Sequence, residues 1–166
     1  MNKVILPPFL KKDDRVAIVS PAGAIDADLV DGAIEVLKTW GLRPEKREYT
    51  TAKVGRFAGY DKWRCDDLQK VLDDPTIAAV LCSRGGYGTM RIIDKIDFTL
   101  FRKNPKWLIG FSDITVLHAV LNKQGYASIH GAMAKAIAHE SNNRESVEAL
   151  KDTLFGNKLS YTLPSS

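Results

Sequence analysis

The run TIAAVLC at 76–82 restricts the fold more than any other stretch of the chain. Apolar residues occupy consecutive positions, with no polar residue alternating between them, so both sides of the segment need cover. It is too short for a buried helix, and it is bounded by Pro75 before and the glycines of SRGGYG after. A short, fully apolar, β-branched run of this kind is the mark of a strand inside a parallel sheet, which is coated by helices on both faces. The rest of the chain supplies the other layers. RVAIVSPAG (15–23) reads as a second buried strand, KWLIG (106–110) as a third, and YASIHG (126–131) as a short fourth. LRPEKREY (42–49) is a weaker strand that Pro44 assigns to an edge.

Helical patterns fall between these strands. Leu29, Ala33, Val36, Leu37 and Trp40 recur at three- and four-residue steps, with Asp26 or Asp28 as the start signal and Gly41 as the stop. DKWRCDDLQKVLDDP (61–75) closes before Pro75, SDITVLHAVLNKQG (112–125) stops at Gly125, and NNRESVEALKDTLFG (142–156) stops at Gly156. TMRIIDKI (89–96) has a helical pattern, and DFTLFRKNP (97–105) reads as a short capped turn of helix. Strand and helix alternate about five times, which predicts an α/β layered domain: a mostly parallel sheet with helices on both faces.

At 166 residues, the chain is long enough for one domain with a real core and too short for two ordinary ones. Twenty-four basic residues against 20 acidic give a net charge of +4, scattered rather than striped, so nothing beyond a mild basic excess points to nucleic acid. Cys65 and Cys82 make neither a metal spacing nor a disulfide framework. The N-terminal apolar patch is broken by Pro7 and Pro8 and lacks the form of a signal peptide. No apolar run approaches the ~20 residues needed to span a bilayer. The expectation is a cytoplasmic protein that binds no membrane.

In a parallel sheet, functional groups collect outside the carboxyl ends of the strands. Three loops belong there: SPAG (20–23), SRGGYG (83–88) and GFSD (110–113). Two readings are open for Ser112. It can cap the helix that follows, since serine is a preferred N-cap. It can instead sit on a sharp strand-to-helix turn as a nucleophile, with the next backbone amide and the helix N-terminus facing a developing oxyanion. The glycine usual two residues after such a serine is Ile114 here. SRGGYG also has two readings: a tight turn needing positive φ, or a cradle whose amides face an anion. It is neither a P-loop nor G-x-G-x-x-G. SPAG reads most simply as a proline-stopped strand end. A serine nucleophile needs a base. His118 is rotated off the Ser112 side of its helix, His130 ends a strand at the right edge, and His139 has no evident carboxylate partner. No Ser–His–Asp/Glu set follows from spacing.

Taken together, VSPAG, LCSRGGYGTMRIID, KWLIGFSDITVLHAVL and HGAM resemble, in order and spacing from about Val16 to His130, the landmarks of the LD-carboxypeptidase family, serine peptidases related to microcin immunity proteins. The resemblance implies a flavodoxin-like fold, similar to class I glutamine amidotransferases. It implies that Ser112 both starts the helix and is the nucleophile, with the backbone amides of Asp113 and Gly86 as the oxyanion hole. Arg84, Gly85 and Tyr87 would face the substrate. The substrate would be a murein stem tetrapeptide that loses its terminal D-alanine during cytoplasmic recycling, with no metal or cofactor.

Members of that family carry a second, C-terminal domain that supplies the activating glutamate and histidine. The expectation is therefore that residues 1–156 form the N-terminal, nucleophile-bearing domain and that 157–166 is a tail or the start of a linker. Such a half should be inactive alone, and its uncovered apolar face should favour a homodimer. A competing reading is a non-catalytic α/β module that binds a small anionic or peptide ligand with the same loops.

Overall fold

The computed structural model describes residues 4–159. Of the tail expected at 157–166, residues 160–166 lie outside the described ones. Five strands form one sheet: β1 (Arg15–Val19), β2 (Arg43–Lys46), β3 (Ile77–Cys82), β4 (Trp107–Gly110) and β5 (Ile129–His130). Their order is β2-β1-β3-β4-β5 and every pairing is parallel. This is the flavodoxin-like order, with a topological switch between β1 and β3. β2 lies at the edge and pairs with β1 alone, the position in which a strand tolerates a proline such as Pro44.

Alternation along the strands divides the core in two. Val16, Ile18, Ala79, Leu81, Trp107 and Ile109 face one layer. There they meet Val30, Ala33 and Leu37 of α1 (Ala27–Thr39), Ile137 of α5 (Ala134–Ala138), and Val147, Leu150 and Leu154 of α6 (Arg144–Phe155). Ala17, Val19, Val80, Cys82 and Leu108 face the other. Their cover is Leu68, Val71 and Leu72 of α2 (Asp61–Asp73), Phe101 of α3 (Thr99–Lys103), and Leu117 and Leu121 of α4 (Thr115–Lys123). β3 is buried from both sides, which is why its sequence shows no alternation.

Three local expectations change. TMRIIDKI is not an α-helix but two 3-10 turns, Thr89–Arg91 and Ile93–Lys95. Gly88 enters them at φ +148, and the Thr89 amide donates to the Asp113 carboxylate at 2.8 Å. That bond ties the entry of the segment to the loop after β4. The helix expected from Ser112 begins as a 3-10 turn (Ser112–Ile114), and α4 follows at Thr115. The short α5 was not anticipated: Gly32 of α1 lets it pack closely, since a β-carbon there would stand 3.1 Å from that of Ala138.

The amino ends of the strands are tied by charge. Arg15 bridges Glu45 at 2.8 Å and Asp74 at 3.3 Å. Lys106 is buried, with its ammonium donating to the carbonyls of Val71 (3.0 Å) and Asp74 at the end of α2. Burial lowers its pKa to about 8, against the pull of Asp74 and Asp73.

Candidate functional site at the carboxyl edge

At the carboxyl ends of β1, β3 and β4 the three loops close on one another. The Gly23 amide donates to the carbonyl of Gly85 at 3.0 Å, joining the loop after β1 to the turn after β3. A β-carbon on Gly23 would lie 2.8 Å from that carbonyl, so the approach needs glycine there. Beneath them Ser20 Oγ donates to Thr50 O at 2.6 Å and meets Ser83 Oγ at 2.6 Å, both inside the core. The loop read as a plain strand end is therefore structural support for the turn beside it.

Ser112 holds φ +64. Asp13 is the only other described non-glycine residue in the left-handed region. An L-residue there is strained, and such strain collects at functional turns. An N-cap has extended backbone, and neither the 3-10 turn nor α4 carries a side-chain cap bond. The cap reading fails on both counts. Gly110, the last residue of β4, lets the chain bend: a β-carbon there would stand 2.8 Å from Ile114 Cγ2. The isoleucine found where a glycine is usual is thus folded back over the strand end and fully buried.

The Ser112 side chain faces the glycine turn. A β-carbon on Gly85 would lie 2.8 Å from Ser112 Cβ and 3.0 Å from Oγ. Gly86 follows at φ +116. Neither the Gly86 nor the Asp113 amide donates to a described backbone carbonyl. The Asp113 carboxylate is committed elsewhere, accepting the Thr89 amide. Arg84 runs along the first loop and donates to Ala24 O at 2.9 Å. Tyr87 packs at 6.1 Å from Phe57, with Arg56 over both rings.

A cavity of about 350 Å³ opens beside the serine. Arg84, Gly85, Gly86 and Ser112 line it; Tyr87 and the Asp113 side chain do not. Its far wall comes from the α5 region: Met133, Lys135, Ala136, His139 and Asn143. Lys135 and Ala136 were missed because MAKAIA carries no strand or turn signal, only good helix formers.

The three histidines separate. His118 Nε2 donates to Gly110 O at 2.9 Å and Nδ1 accepts from Ser128 Oγ at 2.8 Å. A carbonyl can only accept, which fixes the tautomer; burial lowers the His118 pKa. His118 holds the end of β4 and turns away from Ser112. His130 is exposed at the next edge position, 5.9 Å from Phe111. His139 shares the Ser112 cavity, but no described carboxylate pairs with it. Arg64 was also missed. It is buried on the α2 face of Leu68 and donates to Pro21 O at 2.7 Å and Gly88 O at 2.9 Å, so one guanidinium binds two of the three loops.

Among the described residues, no helix is long and apolar enough to cross a membrane.

Comparison with known proteins bears on the family and the fold. The family described as the LD-carboxypeptidase N-terminal domain matches residues 16–131. A Streptomyces coelicolor protein is 38% identical over 160 residues, which cover 93% of this chain and 51% of that one. The murein tetrapeptide carboxypeptidase of Pseudomonas aeruginosa is 36% identical over 126 residues, 75% of this chain and 41% of its own. The crystal structure of a muramoyltetrapeptide carboxypeptidase from Oxalobacter formigenes superposes with a TM-score of 0.75 at 28% identity, over 84% of this chain and 47% of that one. The chain thus spans about half the length of the relatives it matches.

Proposed function

This chain belongs to the LD-carboxypeptidase family, and from that premise we propose that it is the nucleophile-bearing half of a serine LD-carboxypeptidase. Residues 1–156 act as its N-terminal domain, and 157–166 begin the passage to a second domain. The substrate is a murein stem tetrapeptide, cut in the cytoplasm to release its terminal D-alanine. One observation carries the reading: a left-handed serine pressed against the Gly85–Gly86 turn, at the edge of a parallel sheet.

The roles follow from the chemistry. Ser112 Oγ attacks the scissile carbonyl, and its proton passes to a base. The carbonyl oxygen becomes an oxyanion and accepts from the Asp113 and Gly86 amides, donors already fixed by the fold. Arg84, Gly85 and Tyr87 form the substrate side. The base, a histidine oriented by a glutamate, comes from the second domain that the family carries. An unassisted serine is a poor nucleophile at neutral pH, so this chain alone has little carboxypeptidase activity. Tyr87, Met90 and Phe111 are exposed at this edge and form part of the face a second domain covers. With that face open the chain self-associates, which sedimentation reads directly.

The test is labelling of Ser112 by a serine-reactive fluorophosphonate, with and without the C-terminal half of a relative supplied in trans. Labelling only when both halves are present is expected. Fast labelling or D-alanine release by this chain alone would overturn the missing-base argument. No labelling under either condition would favour the binding-module reading.

A further inference from the structure

The charge on the cavity beside Ser112 is one-sided. Arg84 lines it from the turn after β3 and Lys135 from the first turn of α5, while no aspartate or glutamate does. Neither cation takes part in an ion pair among the described residues. The acidic residue next to the serine, Asp113, turns its carboxylate to the Thr89 amide and does not line the cavity. Arg84 itself is anchored through one nitrogen to Ala24 O, leaving the remainder of its fork unassigned. Two unpaired cations on opposite walls of a small cavity repel each other and are relieved by an anion between them. Met133, Ala136 and Phe111 supply the apolar part of the lining, and His139 and Asn143 add polar groups on the α5 side. An anionic group carrying a small apolar side chain matches both features.

We infer that Lys135, together with Arg84, forms the subsite that holds the C-terminal carboxylate of the peptide to be cut. The inference rests on the peptidase reading above and deepens it. In a peptide the terminal carboxylate carbon lies within about 4 Å of the preceding carbonyl carbon, by standard bond lengths. A cation that recognises it must therefore stand in the same cavity as the nucleophile, as Lys135 does. Arg84 offers a planar fork and Lys135 a mobile point charge, so the pair grips the carboxylate from the turn on one side and from α5 on the other. Lys135 is then a specificity-determining residue, selecting a free chain end over an internal peptide bond. It is exposed on a short helix and has no structural partner to lose.

The test is binding and needs no turnover. N-acetyl-L-lysyl-D-alanine and its C-terminal amide are titrated into the 166-residue chain while the backbone amide resonances of Gly85 and Gly86 are followed by NMR. One charge-assisted contact is on the order of a tenfold difference, so the free acid is expected to bind about tenfold more tightly than the amide. Lys135→Met should cut that preference severalfold, with Arg84 still in place, and Lys135→Arg should keep most of it. Equal response to acid and amide, no response to either, or an unchanged preference in Lys135→Met overturns the subsite. The outcomes separate the two readings. Ser112 labelling with no acid preference removes the subsite alone; acid preference without labelling removes the peptidase reading and leaves a carboxylate-binding module.

Discussion

The two ends of the sheet are built on opposite rules. At the amino ends, charged groups are matched and their partners are close. Arg15 lies between Glu45 and Asp74, and buried Lys106 closes the end of α2. At the carboxyl ends, backbone meets backbone, glycines sit where a β-carbon would collide, and Ser112 is held in a strained conformation. Of the cations there, Arg64 and Arg91 share Asp61, whereas Arg84 and Lys135 take part in no ion pair among the described residues. The difference shows where the fold spends its polar groups on itself and where it reserves them for something else. Unmatched charge and strain at one edge mark function better than any single residue does.

Changing the close approach at the carboxyl edge should have the largest effect. Gly85→Ala puts a β-carbon 2.8 Å from Ser112 Cβ and 3.3 Å from Phe111 O. Either the turn or the serine must move, and the oxyanion donors move with it. Loss of one such donor costs about 10²–10³ in rate, and a fall of that order is expected in Ser112 labelling with the second half supplied. Labelling within a few-fold of wild type would show that the turn is only a turn.

Much of this was legible beforehand. The unbroken apolar run of β3 demanded cover on both faces, and the strand–helix alternation then gave the parallel sheet. SRGGYG and GFSD each had a plain reading as a turn or a cap, and became informative through their order and spacing, which resemble a known family. What could not be read depends on contacts between distant segments. TMRIIDKI has a helical pattern, but its first amide is taken by Asp113 from another strand's loop. Arg64 looks like a surface residue until its partners, two loop carbonyls and Asp61, are known. The α5 wall is a weak helical signal fixed only by packing on α1. Ser112 was ambiguous for a similar reason: cap and nucleophile share a residue type and a position, and only the backbone angle separates them.

The amino end should answer to pH instead. The Lys106 pKa is depressed from 10.5 to about 8, chiefly by burial. Between those values the unfolded chain holds the proton and the folded chain does not. Stability therefore rises with pH across that window, by at most about 1.4 kcal/mol per unit. Below about pH 8 the folded chain carries the buried charge, and that gain is absent. Lys106→Met removes the slope while also removing the bonds to Val71 and Asp74, so its curve should be flatter and offset. Urea midpoints from pH 7 to 10.5 for both proteins measure this. Parallel curves would mean that Lys106 reaches water more readily than its burial indicates.

The smallest effect is the most diagnostic, because it reverses sign. Ser112 at φ +64 carries a conformational cost that glycine does not. The left-handed region costs an L-residue about 1–2 kcal/mol. Glycine also has more freedom to lose on folding, which offsets part of that gain. Ser112→Gly should therefore be more stable than the wild type by roughly 1 kcal/mol or less, while losing every reaction that depends on the hydroxyl. Ser112→Ala, equally inert, keeps the strained angle and should gain nothing. The paired melting temperatures decide the point. If the glycine variant is no more stable than the alanine variant, the left-handed turn is not strained, and the strongest structural mark of the nucleophile is lost. If it is more stable, the residue is kept against the preference of its own backbone, as a catalytic serine is and a helix cap is not.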